Sequence, residues 1–217
     1  MDKYLNKVIN ADCLEIMREM PDKCVDLVLT DPPYGIDYQG ENRPSEKTYS
    51  NIENDSGQID YAELIKEFER IGNTVIIFGA ENFYQSLPHK GRWICWDKRP
   101  EQLTNEVLGS PFELAWMNKV SGYYKIYRVI HGGFVNADRQ LSGKDRLHPT
   151  QKPVRLFSHI IQDFSKESDL ILDPFLGSGT TAVACKQLKR NFIGIEISPE
   201  YCKIAESRLS ASSYPMF

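Results

Sequence analysis

Asp31-Pro32-Pro33-Tyr34 places a carboxylate, a rigid turn and an aromatic ring at the end of an apolar run, Val25, Leu27, Val28 and Leu29. The run reads as a short buried strand, and the two prolines stop it because they lack backbone donors and fix their own dihedrals. Asp31 therefore lies just past a strand end, and in open α/β sheets ligands bind outside that edge. A flat molecule bearing an amino group can lay its ring on Tyr34 while its hydrogens go to the Asp31 carboxylate and the Pro32 carbonyl. A nucleobase has that form. The same tetrapeptide also serves as a turn that merely ends a strand, and the four residues alone leave both roles open.

A second landmark lies near the other end of the chain. Leu170-Ile171-Leu172-Asp173 reads as a buried strand, and Pro174-Phe175-Leu176-Gly177-Ser178-Gly179-Thr180-Thr181 leads from it into a helix holding Val183, Ala184 and Leu188. Phe192 to Glu196 is the next strand, and its final acid falls roughly 20 residues after the glycine turn begins, the spacing at which a carboxylate meets a ribose in nucleotide-binding βαβ units. No lysine follows the glycines in the manner of a phosphate loop, so the turn suits a nucleoside without a triphosphate. Ser198 as N-cap and Pro199 at the first helical position then start a last helix with Tyr201, Ile204, Ala205 and Leu209.

The elements between these landmarks alternate strand and helix. Val8 and Ile9 form a short strand ending at Asn10-Ala11-Asp12, and Leu14, Ile16, Met17 and Met20 supply one side of a helix. Asp12 with Glu15 three residues on fits a capping box, a role that stands beside ligand binding for the same carboxylate. A polar stretch from Gly35 to Gln58, with Tyr38, Arg43 and Lys47, is the longest loop and is placed to act as a lid over Asp31. Tyr61, Leu64, Ile65, Phe68 and Ile71 then recur at helical spacing, Asn73 to Phe78 reads as a strand closed by Gly79, and Trp93–Trp96 and Phe112–Trp116 read as two more. Residues Asn118 to Leu147 have no period but interleave Lys119, Lys125, Arg128, Arg139, Lys144 and Arg146 with aromatic rings. That pattern suits nucleic acid and equally a solvated excursion with a few buried rings. A helix with Val154, Phe157, Ile160, Ile161 and Phe164 inward follows Pro153.

The chain has 217 residues, 41% of them hydrophobic and 26% charged, enough for one globular domain with a real core. The net charge of −4 excludes a generally basic nucleic-acid coat, so any such contact must be local. Five cysteines and four histidines lack metal-ligand spacing, which predicts free thiols and no metal. The start lacks the apolar region of a signal peptide and no run approaches membrane-spanning length, which predicts a cytoplasmic protein without membrane contact.

Asp-Pro-Pro-Tyr-Gly from Asp31, His-Pro-Thr-Gln-Lys-Pro from His148 and Asp-Pro-Phe-Leu-Gly-Ser-Gly-Thr-Thr from Asp173 together resemble the beta group of S-adenosylmethionine-dependent DNA amino-methyltransferases. In that group the catalytic motif precedes the cofactor motif, as though the usual chain were circularly permuted, and Asp31 precedes Asp173 in that way. The resemblance covers almost the whole chain. It implies a single domain over 1–217, with a catalytic half at 1–118, a short target-recognition segment at 119–147 and a cofactor-binding half at 148–217. It implies a three-layer, Rossmann-like class I methyltransferase fold with a seven-stranded, mostly parallel sheet. The expected edge strand is antiparallel and comes from the region Trp93 to Trp116, with the Val8 strand beside the strand ending in Glu196.

Carried over residue by residue, the resemblance implies that Asp31, Pro32, Pro33 and Tyr34 grip the target amine. Phe175, Gly177, Gly179 and Thr180 would cradle the methionine part of S-adenosylmethionine, Glu196 its ribose, and Asp12 and Cys13 its adenine. Lys152 and Pro153 would line the same pocket, and Asp31, Asp173, Pro174, Ser178 and Thr181 complete the cofactor set. In the family, Asp at the first motif position usually accompanies adenine, while Ser is commoner with cytosine nitrogen-4, so the expected reaction is methylation of adenine N6 in DNA after base flipping. No Pro-Cys dipeptide occurs, which separates the chain from carbon-5 cytosine methylation. Family members are often homodimers. Other readings of the same motifs are cytosine-N4, RNA or protein-amide methylation, or a silent subunit that binds cofactor and nucleic acid without catalysis.

Overall fold

The computed structural model describes residues 1–33, 59–99, 110–120, 122, 124–132, 135–136 and 151–212. Tyr34, the expected lid from Gly35 to Gln58, Arg139, Lys144, Arg146 and the motif residues His148 to Thr150 lie outside them.

Among the described residues there are ten strands: β1 (Lys7–Asn10), β2 (Val25–Thr30), β3 (Gly72–Phe78), β4 (Arg92–Asp97), β5 (Phe112–Met117), β6 (Ile126–Arg128), β7 (His131–Gly132), β8 (Val135–Asn136), β9 (Leu170–Asp173) and β10 (Asn191–Glu196). The helices are α1 (Cys13–Arg18), α2 (Tyr61–Ile71), α3 (Val154–Phe164), α4 (Thr180–Gln187) and α5 (Pro199–Ala211), with a 3-10 turn at Ala80–Ser86. Eight strands make one sheet in the order β1-β10-β9-β2-β3-β5-β4-β6, and β7 and β8 pair separately. β1, β10, β9, β2 and β3 run parallel, β5 is antiparallel to both its neighbours, and β6 is parallel to β4.

The central strands are buried on both faces, which is why they read as nearly continuous apolar runs. Leu27, Leu29, Ile76, Phe78 and Ile171 pack under α3, α4 and α5. Val28, Val75, Ile77 and Leu172 point the other way, toward Met17 of α1 and Leu64, Ile65 and Phe68 of α2. Three layers result, with a core on each side of the sheet. The amphipathic spacing of α2 and α3 delivers these contacts, and truncating a residue such as Phe68, 1% exposed, costs about 3–5 kcal/mol.

The permuted arrangement holds, since Val8 pairs with Gly194 and Asn10 with Glu196. Two expectations are corrected. Among the described residues the sheet has eight strands where seven were expected, because β6 rises from the supposed recognition segment. The antiparallel strand β5 lies inside the sheet between β3 and β4, and the edge belongs to β6. Tyr127 of β6 is buried, its hydroxyl donating to Asp163 at 2.6 Å, and Trp96 Nε1 donates to the Val129 carbonyl at 2.8 Å. Part of segment 119–147 thus completes the core. A strand of three residues is too short to leave a periodic signal.

Candidate active site

β2, β3, β9 and β10 end at one edge of the sheet, and the antiparallel β5 begins there. At this carboxyl edge the glycine turn is built first. Glu196, closing β10, accepts the Gly177 amide on Oε2 at 2.7 Å and the Ser198 amide on Oε1 at 2.9 Å. Its position at the strand end fixes the turn 19 residues back.

The two glycines do different work. Gly179 has φ +89°, and a Cβ there would stand 2.8 Å from Ala205 Cβ, so it lets the turn pack on α5. Gly177 has φ +52°, and a Cβ on it would point into open space. A side chain would therefore fill the space beside the turn that a bound molecule needs, and Gly177 fits the backbone cradle expected for the methionine part of a cofactor. Glu196 stands at the end of its strand, where a carboxylate meets a ribose in nucleotide-binding βαβ units.

Ser178, Thr180 and Thr181 hold the turn from within. Arg208 of α5 donates to the Ser178 carbonyl at 2.7 Å and to its hydroxyl at 2.8 Å. Ser178 Oγ reaches Gln151 Oε1 at 3.4 Å and Thr180 Oγ1 reaches the Lys152 carbonyl at 3.3 Å, which straps Gln151-Lys152-Pro153 against the turn. Lys152 and Pro153 are both buried here.

Asp173 faces inward. Thr181 Oγ1 donates to its Oδ2 at 2.5 Å, while Thr30 Oγ1 at 2.9 Å and the Phe175 amide at 3.1 Å donate to Oδ1. Burial pushes its pKa up to about 7, the nearby Asp31 charge adds to the rise, and the three hydrogen bonds oppose it. One carboxylate thus ties the head of the glycine turn, the start of α4 and the residue before Asp31.

On the other flank, Ala11 N donates to the Glu196 carbonyl at 3.2 Å, which brings Asp12 and Cys13 beside the turn. Asp12 is the N-cap of α1, its Oδ1 accepting from Leu14 N at 2.7 Å and Glu15 N at 3.3 Å. Burial, with the charges of Asp12 and Glu196 adding, pushes the Cys13 thiol up to about 12, so it stays protonated.

Asp31 follows β2, with Pro32 buried behind it. Tyr61 Oη donates to the Pro33 carbonyl at 2.7 Å, and the Tyr61 ring stacks on Phe83 with centroids 4.1 Å apart. Helix α2 and the 3-10 turn therefore hold the proline pair in place.

Sequence reasoning placed Lys152 toward the cofactor, but its ammonium is hydrogen-bonded to Asp31 Oδ2 and lies 3.4 Å from Glu113 Oε2. Lys98 Nζ meets the other Glu113 oxygen at 2.5 Å. Burial alone would lower the Lys152 pKa, but the charges of Asp31 and Glu113 outweigh it and raise the value. Burial likewise works to raise Glu113, but Lys152 and Lys98 hold it below the usual range. Glu81 is raised by burial, with Glu113 and Asp31 adding and Lys152 opposing. Glu113, Lys98, Glu81 and Thr30 were not singled out from the sequence. The only signal was weak, a single acid inside the otherwise apolar strand Phe112–Met117.

The basic segment is brought only partly to this edge. Arg128 closes β6 beside Asp97, with Nε 3.9 Å from Oδ2, at the carboxyl edge. Lys125 pairs with Asp163 at the C-terminal end of α3 at 3.0 Å, toward the opposite edge. Lys119 follows the end of β5, which runs toward that opposite edge too. Among the described residues of the segment, Arg128 alone is a base at the Asp31 side. The cause is topological: β5 is antiparallel, so its end and the start of β6 lie far from the edge where Asp31 sits.

Comparison with known proteins gives a consistent set of matches. The DNA methylase family model, of the N6/N4 methyltransferase type, matches residues 89–207. The chain is 30% identical to the type II methyltransferase M2.DpnII of Streptococcus pneumoniae, over 97% of this chain and 93% of that protein. It is 28% identical to the type II methyltransferase M.HinfI of Haemophilus influenzae, over 96% of this chain and 69% of that one. The match to M2.DpnII spans 252 positions, more than the 217 residues here, so that relative carries residues without a counterpart in this chain. Among solved structures, the M1.HpyAVI–SAM complex is similar at a TM-score of 0.61 and 25% identity, covering 94% of this chain and 98% of that one.

Proposed function

Because this chain belongs to the N6/N4 DNA methylase family, we propose that it transfers the methyl group of S-adenosylmethionine to the exocyclic N6 of an adenine in DNA that has been turned out of the duplex. The observation that carries this reading is the shared anchor at Asp173. Through Thr30 it fixes the strand end bearing Asp31, and through Phe175 N and Thr181 it fixes the glycine turn.

S-adenosylmethionine supplies an electrophilic methyl group on a sulfonium centre. Gly177 and Phe175 would form the backbone cradle for its methionine part, Glu196 would accept from its ribose hydroxyls, and Asp12 and Cys13 would border its adenine. The protonated Cys13 thiol offers no competing thiolate.

An adenine amine attacks poorly because its lone pair is delocalised into the ring. Asp31 and the Pro32 carbonyl accept its two hydrogens, which favours a more tetrahedral nitrogen and localises the pair. The Asp173 anchor holds the acceptor and the turn in one fixed relation, which would orient the amine toward a bound sulfonium methyl, a gain of orientation and preorganised charge; the N–C bond would form as the C–S bond breaks, and the surplus amine proton would leave to solvent. Tyr34 stacks on the flipped base. Asp at position 31, which in the family usually accompanies adenine, favours N6 of adenine over N4 of cytosine. A cytoplasmic enzyme acting on DNA, as a homodimer, completes the proposal.

Incubation of the protein with methyl-labelled S-adenosylmethionine and unmethylated genomic DNA, RNA or protein, followed by digestion and nucleoside mass spectrometry, tests it. N6-methyladenine in DNA is the expected product. N4-methylcytosine would replace the base assignment, and label on RNA or protein without label on DNA would overturn the reading.

A further inference from the structure

The Lys152 ammonium is suspended between carboxylates from two strands that are not neighbours in the sheet. It is bonded to Asp31 after β2, stands 3.4 Å from Glu113 on β5, and lies 5.6 Å from the centre of the Phe78 ring on the intervening β3. Lys98 holds the far oxygen of Glu113.

In the reading above, Asp31 must accept a hydrogen from a neutral aromatic amine. A charged ammonium is the stronger donor, and while it occupies Asp31 Oδ2 the amine competes at a disadvantage. The ammonium cannot simply leave, because its side chain is only 7% exposed and an unpaired buried charge costs several kcal/mol. Glu113 offers an exit that keeps the charge paired. Shortening 3.4 Å to a charge-assisted hydrogen bond of about 2.8 Å needs a shift of well under 1 Å on a flexible four-carbon stem.

We propose that Glu113 is a positioning residue for methyl transfer, the second seat to which Lys152 moves so that Asp31 can accept the target amine. The proposal rests on the assignment of Asp31 in the preceding section. The positive charge stays inside the site throughout, and Lys98 keeps Glu113 ionised and aimed while it waits.

The test uses Glu113→Gln, Lys152→Met, the two combined, and Asp31→Ala as control. Each is assayed for kcat on unmethylated genomic DNA, for S-adenosylmethionine affinity by calorimetry and for Tm. Glu113→Gln should lower kcat about tenfold or more while cofactor Kd stays within about twofold, since the second seat then offers the ammonium only a neutral acceptor and leaves its buried charge unpaired. Adding Lys152→Met should raise kcat at least about threefold above Glu113→Gln, because the blocking donor is gone. If Glu113→Gln fails to fold, Glu113→Asp, which withdraws the second seat by one methylene, should lower kcat with unchanged Kd. Glu113 variants with wild-type kcat, or a double variant no faster than Glu113→Gln, would overturn the proposal. An inactive Asp31→Ala beside a normal Glu113→Gln rejects only this step, whereas an active Asp31→Ala rejects the underlying assignment.

Discussion

Asp173→Asn tests whether the buried anchor carries a proton in the folded protein. Burial moves the Asp173 pKa from 3.8 to about 7. Between those values the folded state keeps a proton that the unfolded chain has lost, so stability falls as pH rises. The stabilising contribution is fully present below about pH 4 and gone above about pH 7, a change of about 1.4 kcal/mol per unit and about 4 kcal/mol in all. Asparagine mimics the neutral form at every pH and fits the hydrogen bonds. Its oxygen takes the place of Oδ1, accepting from Thr30 and Phe175 N, and its amide takes the place of Oδ2, where the Thr181 hydroxyl turns to accept. The variant should therefore match the wild type near pH 4 and exceed it at pH 8 by up to about 4 kcal/mol. Urea unfolding of both proteins across that range reads the difference. Carboxylates with lowered pKa, Asp163 and Glu113 among them, act in the opposite sense but equally in both proteins, so they cancel. An Asn variant that is less stable at pH 8 and shows the wild-type pH slope would refute the reasoning.

Asp31→Ala should abolish transfer and leave S-adenosylmethionine affinity within about twofold by calorimetry, because the residue is assigned to the target amine. Gly177→Leu should weaken cofactor binding at least about tenfold, its stability cost of about 1–2 kcal/mol coming from the strain at φ +52° alone, since the added atoms meet open space. Gly179→Ala should do the reverse and lower Tm, because its Cβ would press on Ala205 at 2.8 Å, with a cost of about 1–3 kcal/mol. Arg128→Ala should reduce the salt slope of duplex binding by about one contact while Lys125→Ala leaves it unchanged, as filter binding at several salt concentrations would read. Equal effects of the two would show that Lys125 leaves Asp163 to reach phosphate.

The strands that carry the chemistry are legible in the order of residues alone. Val25–Thr30, Leu170–Asp173 and Asn191–Glu196 are central and parallel, buried on both faces, and so appear as apolar runs whose last residues mark the carboxyl edge. The glycine turn, Glu196 at its distance and the cap at Ser198 are legible for the same reason, since backbone geometry dictates residue type within a few positions. Helices α2 and α3 show because one face of each is buried and the period survives.

Tertiary structure decided whatever depends on strand order and side-chain direction. Lys152 meets Asp31 and Glu113 only because β2, β3 and β5 lie in that sequence across the sheet, a packing outcome with no local signature. Asp173 ties the glycine turn to the strand end bearing Asp31 because Thr30 and Thr181 are brought to it from separate elements. Asp12 carries a capping role that short-range sequence had left beside ligand binding. Lys125 falls away from the site because β5 reverses direction before β6 begins. Local pattern fixes which segments form and where they end, whereas long-range packing fixes which of their side chains meet.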